Sequence, residues 1–203
     1  HLTFNNFATQ SRLRQQIKKQ FEHYLAPDMV AKLQKDPTLL KLGGEKRNMT
    51  FLFSDIRGFT PISEKYKGNP EGLTKLINRF LTRMTDVIIA NGGTIDKFMG
   101  DCIMAFWNAP ITNKDHATLA VKSALEMQKE LKQLNKELKK EKLPAINIGI
   151  GINTGEALVG NMGSEQRFDY SVIGDDVNLA SRLESSSKAV SYTHLTLPTR
   201  CLV

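Results

Sequence analysis

Apolar residues fall at three- and four-residue steps in the first part of the chain: Leu13, Ile17, Phe21 and Tyr24 form one stripe of an amphipathic helix that stops near Ala26-Pro27. Pro27 suits the first position of a second short helix, DMVAKLQ, and LGGEKRN (42–48) is a turn-rich lead into the strand MTFLFSD, so the domain proper is expected to begin near Lys46. Over 70–91 the residues Leu73, Leu76, Ile77, Phe80, Leu81, Met84, Val87 and Ile88 keep helical spacing until Gly92-Gly93 ends it. GGTIDKFMGDCIMAFWNAP then holds two apolar runs on either side of Met99-Gly100-Asp101, the pattern of a β-hairpin with an acid at its tip. A helix over 114–141 follows, then INIGIGINTG, EALVGNMG and RFDYSVIG as three strands, and DDVNLASRLESSS as a helix. This order predicts an α+β sandwich of ferredoxin-like kind, with helices on one face of a mostly antiparallel sheet.

The final stretch, AVSYTHLTLPTRCLV, keeps neither period and has a Pro in its only apolar run, so 188–203 is expected to be a non-native or disordered tail. The chain starts at His1 with no signal-peptide pattern, which points to a fragment of a longer protein. At 203 residues it is long enough for one domain with a core of its own. No run reaches the roughly 18 apolar residues of a membrane helix. Two cysteines, Cys102 and Cys201, are too few for a disulfide framework and lack metal-ligand spacing, as expected in a reducing, cytosolic compartment.

The net charge of +7 permits an anionic partner. Much of that charge lies in KELKQLNKELKKEK, where Lys and Glu alternate around Leu131, Leu134 and Leu138, as on a solvated helix face. The basic-aromatic interleaving of a single-strand binder is missing, so no nucleic-acid partner is expected.

The candidate chemistry starts in FLFSDIRGFT, where an apolar run ends on a carboxylate and then breaks into Arg-Gly. Asp55 there and Asp101 at the hairpin tip both close apolar strand runs. On adjacent strands their oxygens would converge as hard ligands for Mg²⁺, with room left for water and substrate phosphate. The bland alternative is that each acid caps a turn. Gly58-Phe59-Thr60 would open a helix whose backbone N–H groups face a phosphate. Asn178 and Arg182 lie four apart on one helix face, where the guanidinium fork suits phosphate oxygens and the amide a ribose; a plain surface pair is the alternative. Lys97 sits just before the turn, either solvated or functional.

FSDIRGFT, DKFMGDCIMAFW, GINTGEALVGNMGS and YSVIGDDVNLASRLE, in that order, resemble the class III nucleotidyl cyclase catalytic domain, over about 42–187. QFEHYLAPDMVAKL, within 1–41, is similar to the helical connector upstream in many bacterial members. The resemblance implies the nucleotidyl cyclase fold and a head-to-tail homodimer with active sites at the interface. It also implies two Mg²⁺ or Mn²⁺ ions held by Asp55, Asp101 and the backbone carbonyl of Ile56. Arg182 would stabilise the α-phosphate transition state, Asn178 would position the ribose, and Lys97 with Ser171 would read the purine. Lys is a donor only and suits adenine N1, while a Ser hydroxyl accepts from adenine N6. Guanylyl cyclases in the family typically carry Glu and Cys at these two positions, so ATP is the expected substrate.

Ser171 departs from the Asp or Thr more common in adenylyl members. A second departure is that no counterpart of the family's further C-terminal strands, one bearing a phosphate-contacting Lys, follows Ser187. The domain over 42–187 is therefore expected to be C-terminally incomplete. The resulting expectation is an adenylate cyclase domain, on the cytoplasmic side of a parent whose sensor or membrane region is missing from this chain. A guanylate cyclase and a catalytically inactive nucleotide-binding or dimerisation module are the alternatives.

Overall fold

A computed structural model describes residues 42–187, so the predicted connector (1–41) and tail (188–203) lie outside the described residues. The chain runs through β1 (Gly43–Ile56), α1 (Phe59–Lys65), α2 (Pro70–Ala90), β2 (Thr94–Met99) and β3 (Cys102–Trp107). It continues through α3 (His116–Lys140), β4 (Ile148–Ser164), β5 (Arg167–Ile173) and α4 (Asp175–Ser186). The five strands form one sheet in the order β2-β3-β1-β4-β5, every neighbouring pair antiparallel.

The strand alternation assigns the two faces. Leu52 and Ile56 of β1, with Ile103, Ala105 and Trp107 of β3, meet Leu76, Phe80, Met84 and Ile88 of α2 and Met127, Leu131, Leu134 and Leu138 of α3. The alternate residues Met49, Phe51 and Phe53, with Met104 and Phe106, pack with Val177 and Ala180 of α4. Helices thus cover both faces, which corrects the expectation of a one-sided sheet. The unbroken Phe51-Leu52-Phe53 run is what burial on both faces requires.

Two strand boundaries also differ from the sequence reading. Gly43 to Asn48 is strand rather than a lead-in, because its backbone pairs with Asn161 to Glu156 of β4, and its exposed side chains need not be apolar. INIGIGINTG and EALVGNMG form one 17-residue strand, β4. Leu158 to Asn161 are paired on both sides, to β1 and to β5, so the strand carries the sheet from one partner to the next.

Local signals fix the helices. Asn69 caps α2 by accepting from the Gly72 N–H at 2.9 Å, and Pro70 fills the first turn. The partly exposed side of the α2–α3 pair is laced by Arg79 to Glu137 and Glu141 and by Arg83 to Glu130 and Glu137.

Candidate active site

Asp55 shares the parity of Phe51 and Phe53, so it leaves β1 on the α4 side of the sheet, one residue before the strand ends. Asp101 lies in the two-residue connection Gly100-Asp101, closed by the pair Met99 and Cys102. Because β3 lies beside β1, with Ser54 opposite Ile103, the tip of the β2–β3 hairpin reaches the end of β1. There the Ile56 N–H donates to Asp101 Oδ2 at 3.2 Å. Burial first, then the hydrogen bond and charge of Asp55, push the Asp101 carboxyl up to about 6.

Burial and the neighbouring acid both disfavour a charged Asp101, and a cation at this point would relieve the second of these. Among the described residues no cluster of three or more His, Cys, Asp or Glu could hold a metal ion. The side-chain donors are then two carboxylates, a set that suits a hard divalent cation retaining water or phosphate ligands. The residues present therefore fit such an ion.

Beyond Ile56 the chain turns at Gly58, at φ +64°, and opens the seven-residue α1 at Phe59 and Thr60. The intervening Arg57 was missed as a site residue by sequence reasoning. Its backbone N–H donates to Asn147 O at 2.7 Å. Its guanidinium reaches across to α4, donating to the Glu184 carbonyl at 3.1 Å and to Ser187 Oγ. It also lies 2.8 Å from the Glu184 carboxylate, a charge contact rather than an aligned hydrogen bond, with the acid almost fully buried. The loop that follows Asp55 is thereby pinned to the helix bearing Asn178 and Arg182.

Both oxygens of Asp176, in the first turn of α4, are tied to β4. Oδ1 accepts from Asn153 Nδ2 at 3.0 Å and Oδ2 from the Glu156 N–H at 3.1 Å. Val177, Ala180 and Glu184 face the sheet. A Cβ at Gly151 would collide with the backbone of Ala180 and Glu184, so α4 rests directly on β4. Asn178 and Arg182 occupy the opposite, exposed face.

Lys97 and Ser171 come from strands at opposite ends of the sheet order, yet they meet. β2 has a bulge at Asp96, between the pairs Ile95–Ala105 and Lys97–Met104. Ser171 Oγ donates to Asp96 Oδ2 at 3.0 Å, and Lys97 Nζ lies 3.8 Å from the same oxygen. The Asp96 side chain is 1% exposed against 47% for Lys97. Burial raises its pKa, opposed by the Lys97 charge and the Ser171 hydrogen bond. Asp96 was not among the site residues expected from the sequence.

The structure thus gathers the predicted residues into three groups: Asp55, Ile56 and Asp101 beside Gly58-Phe59-Thr60; Lys97 and Ser171 around Asp96; and Asn178 with Arg182 on α4.

Residues 44–199 match the family described as the adenylate and guanylate cyclase catalytic domain. Adenylate cyclase 1 of Rhizobium meliloti is 37% identical over 143 residues, and adenylate cyclase of Anabaena cylindrica 40% over 146; each alignment covers 70% of this chain. The alignments cover only 21% and 28% of those two proteins. Among solved structures, the guanylyl cyclase Cya2 superposes with a TM-score of 0.67 at 47% identity, over 71% of this chain and 73% of that one. The adenylyl cyclase CyaB from P. aeruginosa does so with a TM-score of 0.67 at 44% identity, over 71% and 74%. On this sequence match and this shared fold, the chain belongs to the adenylate and guanylate cyclase catalytic domain family.

Proposed function

We propose that this domain is an adenylate cyclase, converting ATP to 3′,5′-cyclic AMP and pyrophosphate at sites shared between two copies of the chain. The observation that carries the choice of ATP is the convergence of Lys97 and Ser171 on one carboxylate. A cationic donor and a hydroxyl whose proton is already committed offer adenine what it needs, a donor for N1 and an acceptor for the N6 amino group.

In the reaction the ribose 3′-oxygen forms a bond to the α-phosphorus and loses its proton, while the bond from that phosphorus to the bridging oxygen breaks and pyrophosphate departs with the electron pair. Asp55, Asp101 and the Ile56 carbonyl would hold two Mg²⁺ or Mn²⁺ ions, which when bound supply acidity at the 3′-hydroxyl and charge neutralisation at the phosphates. Arg182 would donate to the α-phosphate oxygens as their charge builds, and Asn178 would hold the ribose. The backbone N–H groups of Gly58, Phe59 and Thr60 face the phosphates in this reading. A head-to-tail pair would bring the acid pair of one copy to the purine corner and α4 of the other.

The test is cyclic nucleotide formation from ATP and from GTP, with Mg²⁺ and with Mn²⁺, over a range of protein concentration. Cyclic AMP from ATP, at a rate rising faster than linearly with protein, is expected. A guanylate cyclase is the second reading, favoured by the 47% identity to Cya2; cyclic GMP as the main product would establish it in place of the first. Nucleotide binding with no product from either purine would overturn both and leave a binding module.

A further inference from the structure

The carboxylate that joins Lys97 to Ser171 is assigned no part by the motifs, and it has an unusual set of partners. One oxygen of Asp96, Oδ2, takes both the Ser171 hydroxyl and the nearer approach of Lys97, while Oδ1 is buried with no hydrogen-bond partner. Asp96 is the extra residue of the β2 bulge, and it meets Ser171 of β5. A buried acid half-satisfied in this way is costly, which asks for an explanation beyond packing.

We propose that Asp96 is a positioning residue for purine selectivity. A hydroxyl has one proton to give. With that proton directed at Asp96, Ser171 shows the base edge only lone pairs, which accept from the adenine amino group and repel the guanine O6 oxygen. The same carboxylate holds Lys97 within reach of the neighbouring ring nitrogen. Ser171 alone has no such preference, because a free hydroxyl rotates to donate or accept. Selectivity at this corner therefore belongs to the Asp96–Ser171 pair and not to the serine. The inference rests on the reading of Lys97 and Ser171 as the purine contacts.

The test substitutes Asp96→Asn, near in shape but able to donate from its amide to Ser171 Oγ, which frees the hydroxyl proton to turn toward guanine O6. Equilibrium binding and turnover of ATP and GTP are measured on the full chain, with folding checked by thermal melting. In wild type ATP is preferred; in Asp96→Asn the ATP-to-GTP preference falls by about tenfold, the weight of one hydrogen bond made unfavourable. In a Ser171→Ala background the same change moves the ratio far less than it does in wild type, the remainder being its hold on Lys97, a coupling that a merely structural Asp96 would not produce. If Asp96→Asn does not fold, Asp96→Ser, which removes the carboxylate and keeps a small polar group at the bulge, is read in the same way. An unchanged ratio in the Asp96 variant, with Ser171→Ala altering it, overturns the role of Asp96 and leaves the purine contacts standing. Equal wild-type binding of ATP and GTP overturns the purine contacts themselves, and this proposal with them.

Discussion

Asp96 and Asp101 belong to the same hairpin, five positions apart; burial raises the pKa of both, but their nearest neighbours act on the carboxylate in opposite ways. At the bulge, Asp96 is sealed from water and given a cation and a hydroxyl by its own chain. At the tip, Asp101 is partly buried and given a second acid, so that burial and the Asp55 charge both oppose its ionisation. One site has its neutralising charge built in; the other has a deficit that an arriving cation would fill. A carboxylate's role is thus read from whether its neighbours relieve its charge or add to it.

The largest expected effect follows from that deficit. Asp55→Ala or Asp101→Ala should lower cyclic nucleotide formation by about a thousandfold or more while the chain remains folded, since the acid pair would hold the ions on which the transfer depends. Residual activity near wild type would break the contrast between tip and bulge. Mg²⁺ titration in a melting experiment sharpens it: the ion should raise the melting temperature of wild type and of Asp96→Asn, but not of Asp101→Asn.

Next comes complementation. Arg182→Ala should cost about a hundredfold in turnover. Mixed in equal amount with Asp55→Ala, it should restore about a quarter of wild-type activity, because half the random pairs then carry one intact interface site of two. No recovery on mixing would place the acid pair and Arg182 in the same chain's site.

A smaller effect is expected at the pin between the loop and α4. Glu184→Gln leaves the partly exposed Arg57 guanidinium without its counter-charge and should cost roughly 1 to 3 kcal/mol in denaturant unfolding. The smallest concerns His116, whose Nδ1 lies 2.7 Å from Thr50 Oγ1 and whose pKa burial holds below the usual value. The folded state then binds fewer protons than the unfolded one around and below pH 6.5, so stability rises with pH through that window. His116→Gln should flatten the loss of stability on acidification from pH 7 to pH 5, by about 1 kcal/mol or less.

Where periodicity and burial agree, the sequence was a sufficient guide. The α2 stripe and the β2–β3 hairpin show their elements directly, and Asp55 and Asp101 stood out because each ends an apolar run. Gly43 to Asn48 did not read as strand, since an exposed ribbon is held by backbone pairing that side chains do not report. Gly155-Glu156 looked like a break in β4, yet the strand runs through it because Thr154 and Gly155 keep their partners in β1. The two-sided cover of the sheet was written in Phe51-Leu52-Phe53, whose both-face meaning a helix count alone obscured. Asp96 was not read as a site residue; it is the extra residue of a bulge, where the alternation on which face assignments rest breaks down.

Gly151 sets the height at which α4 rides above the sheet, and it does so by having nothing to offer. A gauge made of an absence can drift in one direction only: every replacement is thicker and none is thinner. Even alanine there would jack the helix outward, carrying Asn178 and Arg182 with it and levering Arg57 and its loop through Glu184. One methyl group would therefore be felt twice, once on the face that carries Asn178 and Arg182 and once in the loop that follows Asp55.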